Sequence, residues 1–200
     1  MQQPTDHASE QRSGRGSGGR DEVQLLDAAG RPSGTALRAE VHTDATPLHL
    51  AFSCYLSRPD GAILLTRRAL SKRTWPGVWT NSFCGHPWPG EPVEDAVVRY
   101  ARHELGVRVD GLHCALPHFQ YRATDASGVV ENEVCPVYLA TTQDQPQPHP
   151  AEVAELTWVL PHQVREIVRV APFLVSPWMA EQVTQLPSLT AGEAVREVGR

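Results

Sequence analysis

Two short patterns set chemically active side chains two residues apart: Cys84-Gly85-His86 and Glu131-Asn132-Glu133. On a strand such residues project to one side, so a thiol can share a wall with an imidazole, and two carboxylates can face one way. Paired carboxylates repel unless a cation lies between them or one is protonated. A solvent-facing edge strand is the plainer reading of that pair, and a buried thiol beside a core histidine is the plainer reading of the first pattern. His42 and His49 flank a probable loop and strand entry and, with His86, offer imidazoles to the same cation. Mixed imidazole and carboxylate donors suit manganese, zinc or iron better than calcium.

Two further groups carry charge. Val93, Val97, Tyr100 and Glu104 follow the i, i+4, i+7, i+11 spacing of one helix face, which puts the Glu104 carboxylate on the stripe that should meet the core. A metal or a cationic partner accounts for it, as does a glutamate snorkelling at the helix end. Arg38, Arg67-Arg68 and Lys72 form a basic group in a chain of net charge -5. Such a group either clamps a diphosphate through charge-assisted hydrogen bonds or is a solvated cationic face.

The elements that must position these residues follow from pattern. Val23–Leu26 reads as a first strand, and 30–34 as a turn. Leu48–Leu56 and Ala62–Arg68 read as strands around a turn at 58–61. Residues 75–79 form a loop feeding a short strand over 81–86. The clearest helix runs from about Pro92, suited to the first helical position, through Glu94 and Asp95 to a stop at Gly106. Residues 119–124 and 129–140 pair as a hairpin, 143–150 is a Pro/Gln loop, 156–160 is a strand, and helices lie around 162–170 and 176–185. This order predicts an α+β fold, not a doubly wound parallel sheet.

Length and a hydrophobic content of 40% suit one globular domain, expected over residues 22–186. Residues 1–20, rich in Gly, Ser, Gln and Arg, read as a disordered tail, and 187–200 as a C-terminal tail. A pI near 6.0 supplies no basic field for nucleic acid or anionic membrane. No apolar run approaches a membrane span or a signal-peptide core. Cys54, Cys84, Cys114 and Cys135 are far apart with no CxxC pair, which points to a reducing, cytoplasmic compartment.

Taken in order, several stretches resemble type 1 isopentenyl diphosphate isomerases. They are His42-Thr with Leu48-His-Leu-Ala-Phe-Ser53, Thr66-Arg-Arg-Ala-Leu-Ser-Lys72 and Trp75-Pro-Gly-Val-Trp-Thr-Asn-Ser82. The rest are Cys84-Gly-His-Pro87, Glu104-Leu-Gly-Val107, Tyr121-Arg-Ala-Thr-Asp125, Glu131-Asn-Glu-Val-Cys-Pro136 and Ser176-Pro-Trp-Met179. The resemblance implies a Nudix-like mixed-sheet sandwich with flanking helices. Gly85, Glu91, Arg99, Glu104, Gly106 and Val107 fall in register with the Nudix box, whereas Tyr100 and His103 replace two of its glutamates.

By the same resemblance, His42, His49, His86, Glu131 and Glu133 would bind a divalent metal of manganese or zinc character. Glu104 and the backbone carbonyl of Cys84 would hold a magnesium that meets the substrate diphosphate. Arg38, Arg68 and Lys72 would grip the phosphates, with Arg38 standing where relatives commonly have lysine. Glu133, helped by Tyr121, would protonate the alkene, Cys84 would remove a proton on the opposite face, and Trp178 would stabilise the carbocation. The expected partner is therefore a small isoprenoid diphosphate, not a nucleic acid or a membrane, and the alternative activity is a Nudix-type diphosphohydrolase.

Overall fold

The computed structural model describes residues 21–190, so the two expected tails lie largely outside it. In chain order the strands begin with β1 (Glu22–Leu26), β2 (Pro32–Leu37), β3 (His49–Leu50), β4 (Phe52–Ser57), β5 (Ile63–Arg68), β6 (Trp79–Thr80) and β7 (Phe83–Gly85). Helix α1 (Val93–Leu105) follows, then β8 (Asp110–Leu116), β9 (Gln120–Thr124), β10 (Val130–Val134), β11 (Val137–Thr141) and β12 (Val153–Val159). The chain ends in α2 (Pro161–Val170), a 3-10 turn (Pro172–Leu174), α3 (Pro177–Gln185) and α4 (Pro187–Thr190).

Two segments expected as single strands are each broken, and the breaks organise the molecule. Residues 48–56 divide into β3 and β4 at Ala51; residues 129–140 divide into β10 and β11 at Cys135-Pro136. The first halves join a five-stranded sheet in the order β2-β1-β3-β10-β9, and the second halves join a seven-stranded sheet built on β12-β5-β4-β11-β8. β3 runs parallel to β10 and β4 parallel to β11, so both chains cross between sheets side by side. The crossing is pinned by Ala51 N–H donating to Val134 O (2.9 Å) and Ser53 N–H donating to Pro136 O (3.1 Å). Pro136 has no N–H to continue a ladder, which suits it to a strand end.

Both faces of β4 are covered. Phe52, Cys54 and Leu56 pack with Ala96, Val97, Tyr100 and Leu105 of α1, whereas Tyr55 packs in the cluster containing Trp178, Met179 and Val183 of α3. A strand buried on both sides carries a near-continuous apolar run, as this one does. Pro92 is the N-cap of α1, and Gly106 closes the helix in the left-handed conformation (φ 67°), its N–H donating to Arg102 O and the Val107 N–H to Ala101 O.

Besides the two-residue β6, which takes in Trp79 of the expected loop, two longer strands were not anticipated. β2 is an exposed edge strand, and β8 is a half-exposed edge strand with two register shifts; neither shows apolar alternation. The chain also stays packed past Leu186, because α4 inserts Leu189 (1% exposed) beside α2 and α3. These elements form an α+β sandwich of mixed sheets with flanking helices. No helix among the described residues is long and apolar enough to cross a membrane.

Candidate active site

The broken strands place the charged residues. Across the five-stranded sheet His49 of β3 lies opposite Glu133 of β10, and Glu133 lies opposite Tyr121 of β9. One row of side chains on one face therefore gathers residues distant in sequence. His86 follows β7, and His42 sits on a loop tied to β10 by Val130 N–H donating to Thr43 O (2.8 Å).

One donor atom from each of His42, His49, His86 and Glu133 lies within 4.8 Å of the others. His49 Nε2 is 3.2 Å from His86 Nε2, and Glu133 Oε1 is 3.1 Å from His86 Nε2 and 3.4 Å from His49 Nε2. Two donors bound to one cation at about 2.1 Å stand about 3.0 Å apart at a right angle and about 3.4 Å apart at the tetrahedral angle. The spacing thus fits a shared cation. His49 Nδ1 lies 2.9 Å from Pro47 O; a proton there leaves the Nε2 lone pair facing the cluster.

Glu131 joins through His42, with Oε2 2.8 Å from Nε2, yet both atoms are buried without a hydrogen bond. Buried polar atoms are rarely left so, and a bound ion is one account. His42, His49, His86 and Glu133 are thus spaced as ligands of one metal ion would be, and Glu131 adjoins them through His42. Glu133 is held well below the usual carboxylate range by the imidazoles of His49 and His86, which overcome its burial. Burial lowers His86, whereas for His49 the contact with Glu133 outweighs burial and raises it.

Glu133 faces two ways. Its Oε1 looks into the imidazoles, and its Oε2 accepts from Tyr121 Oη (3.0 Å). Burial pushes the Tyr121 hydroxyl well above its ordinary value, so it stays a donor. Tyr121 lies 5.5 Å from the ring of Trp178, which also meets Trp75 edge-on at 5.4 Å. Cys84 is held on β7 beside Ser53 of β4. Burial pushes its thiol up to about 11, with the Ser53 hydroxyl (3.4 Å) and the charge of Arg68 acting the other way.

Arg38, Arg68, Lys72, Cys84, Glu104, Tyr121, Glu133 and Trp178 line one cavity of about 600 Å³. Arg68 is fixed by donating from Nε and Nη2 to Thr74 O (3.0 and 2.9 Å) and from Nη2 to Thr74 Oγ1 (3.0 Å). Lys72 pairs with Glu152. Glu104 is 6% exposed, and burial raises its carboxyl to about 7. Arg67 departs from the basic group: it donates to Gly77 O (2.9 Å) and pairs with Glu155, because adjacent strand residues face opposite ways.

Sequence reasoning had not singled out Thr74, Ser53, Asn81 or Glu152, which hold site residues in place. For Ser53 the available signal was a polar side chain within an apolar strand segment. Of the two residues that replace Nudix glutamates, Tyr100 lines the same cavity. Tyr100 is buried against Phe52, and His103 stacks on His149 at 5.3 Å.

This sandwich and its α1 motif define a Nudix-domain protein: a family model described as the NUDIX domain matches residues 47–183. The fold resembles that of a solved Deinococcus radiodurans protein, with a TM-score of 0.63 at 20% identity over 82% of this chain and 98% of that one. Two relatives bear the name isopentenyl-diphosphate Delta-isomerase. One, from Kocuria rhizophila, is 59% identical over 165 residues, 82% of this chain and 92% of the relative. The other, from Paenarthrobacter aurescens, is 56% identical over 164 residues, 82% and 89% of the respective chains. The chain belongs to the isopentenyl-diphosphate Delta-isomerase family.

Proposed function

We propose that this chain interconverts isopentenyl diphosphate and dimethylallyl diphosphate by protonation and deprotonation through a tertiary carbocation. The observation that carries the reading is one cavity lined by a carboxyl–phenol pair, a thiol, an indole and four cations, Arg38, Arg68, Lys72 and Arg73. An unactivated alkene is a poor base, so the acid must be strong, positioned and shielded from water.

Glu133, which His49 and His86 hold ionised at rest and which must therefore take up a solvent proton before each turnover, gives that proton, helped by Tyr121, to the terminal methylene, forming a C–H bond and leaving positive charge on the tertiary carbon. Trp178 presents a ring that stabilises this charge without bonding to it. Cys84, whose buried thiol is protonated at rest and must give that proton up to solvent before turnover, then as thiolate takes the proton from the carbon between the cation and the diphosphate-bearing carbon, and that electron pair becomes the new double bond. One proton enters and one leaves. Arg38, Arg68 and Lys72 hold the diphosphate through charge-assisted hydrogen bonds. A manganese- or zinc-like ion on His42, His49, His86, Glu131 and Glu133 would supply positive charge that strengthens Glu133 as an acid. A magnesium on Glu104 and the Cys84 carbonyl would neutralise diphosphate charge. The four free thiols support a cytoplasmic enzyme. With Tyr100 and His103 in place of glutamates, the diphosphohydrolase alternative lacks its carboxylate cluster.

Turnover in heavy water is the test. Deuterium should enter a methyl group of the product, and Glu133→Gln should suppress it together with the rate. Cys84→Ala should abolish turnover with diphosphate binding retained. Product formed over many turnovers without solvent deuterium, or phosphate release in place of isomerisation, would refute the reading.

A further inference from the structure

We propose that Asn81 is a positioning residue that fixes the Cys84 thiol and the Trp178 indole relative to each other through one carboxamide oxygen. Its consequence for catalysis rests on the roles given above to Cys84 and Trp178.

Asn81 is fully buried in the turn between β6 and β7. Its Nδ2 donates to Cys54 O (3.0 Å) and Phe83 O (2.8 Å). Backbone carbonyls only accept, so the amide has one possible orientation. Its Oδ1 then accepts from Trp178 Nε1 (3.0 Å), Thr80 Oγ1 (2.8 Å) and Cys84 Sγ (3.2 Å). An indole nitrogen only donates, which confirms the assignment from the other side.

The same knot reaches the start of α3. Thr80 Oγ1 is 2.8 Å from Ser176 Oγ, and Ser176 caps the helix by accepting from Met179 N–H. Ser176 N–H also donates to Trp79 O (2.8 Å). The strand that carries Cys84 and the helix that carries Trp178 are therefore joined at one atom of the turn before β7. A thiol and a π face that must address neighbouring carbons of a small flat substrate tolerate little relative movement. A displacement of about 1 Å can cost about a hundredfold in rate. A carbon side chain at this position would also leave two carbonyls and an indole N–H unsatisfied, so stability alone is a poor readout.

The experiment uses the metal-loaded full chain labelled at its five tryptophans, with the Trp178 indole signal assigned from its loss in Trp178→Phe. In Asn81→Ala the Trp178 indole proton should exchange faster with solvent while the other indole signals keep their rates. The kcat should fall about a hundredfold with KM little changed, because the diphosphate grip is untouched. Asn81→Ala combined with Trp178→Phe should lose no more than the worse single variant, as residues acting as one unit do. Thr80→Val keeps the shape and removes one donor; it should speed indole exchange and lower kcat several-fold, and it carries the test if Asn81→Ala does not fold.

Unchanged kcat in the variants would overturn the proposal. So would equal losses in kcat and KM that track thermal stability, or a double variant whose loss is the product of the two singles. If Cys84→Ala stays active, the reading of the site fails. If Cys84→Ala is dead while Asn81→Ala is normal, only this inference fails.

Discussion

Glu104 and Glu133 are buried alike, 6% and 5% exposed, yet burial raises Glu104 to about 7 whereas its imidazole neighbours hold Glu133 well below the usual carboxylate range. Depth does not decide; the neighbours do. Glu133 has two imidazoles within 3.4 Å of one oxygen and a phenol on the other. Glu104 on α1 has the charges of Lys72, Arg68 and Arg38 in its favour but the like charge of Glu152, which pairs with Lys72, against it. Under the proposed mechanism the first centre would draw its metal ligands from the protein alone. The second would share its ion with the substrate diphosphate.

The contrast breaks most visibly on metal removal. Chelation, or His49→Ala, should abolish turnover and take bound manganese- or zinc-type metal in substrate-free protein from stoichiometric to none. Elemental analysis beside the isomerisation assay measures both. Full activity in excess chelator would remove the first centre from the mechanism. Glu104→Gln should act differently: kcat/KM falls by roughly 10²–10³, while metal content in substrate-free protein stays at the wild-type level. Loss of that metal in Glu104→Gln would mean that the two centres are one.

A smaller effect separates neighbours in sequence. Arg68 lines the cavity and Arg67 leaves it for Glu155. Arg68→Ala should raise KM by about tenfold, the scale of one lost charge-assisted contact. Arg67→Ala should leave KM unchanged. Equal effects in steady-state assays would show that the basic group acts by overall charge and not by contact.

Much of this arrangement was legible before the fold, and the gaps have physical causes. Helix α1 announces itself through Pro92, Glu94, Asp95 and Gly106, and its stripe correctly carries Glu104 into the interior. The spacing of Cys84 with His86 and of Glu131 with Glu133 also pointed to shared faces. What spacing could not show is that His49, Tyr121 and Glu133 meet, since that depends on the register of β3, β10 and β9. The breaks at Ala51 and Cys135 were hidden because apolar residues continue through them, with Pro136 as the one local cue. β2 and β8 went unseen because an exposed edge need not alternate. Strand alternation alone would have separated Arg67 from Arg68.

The smallest effect concerns the spacer between the two centres. Gly85 lies between Cys84 and His86, and a Cβ built on it would stand 2.5 Å from the Tyr100 ring of α1. Tyr100 is itself buried against Phe52, so the ring cannot simply swing away. Gly85→Ala should therefore push α1 outward and cost about 1–3 kcal/mol of stability, the usual range for overpacking. The two centres should respond unequally. Glu104 rides on α1, whereas His42, His49 and Glu133 are held by the five-stranded sheet and its adjoining loop. Bound metal in the substrate-free protein should stay near the wild-type level, while the magnesium concentration needed for half-maximal rate rises. Thermal unfolding, elemental analysis and a magnesium titration on one preparation decide the matter. If metal content falls while the magnesium requirement holds, α1 is not what separates the centres, and His86 on the β7 side is the residue that moves.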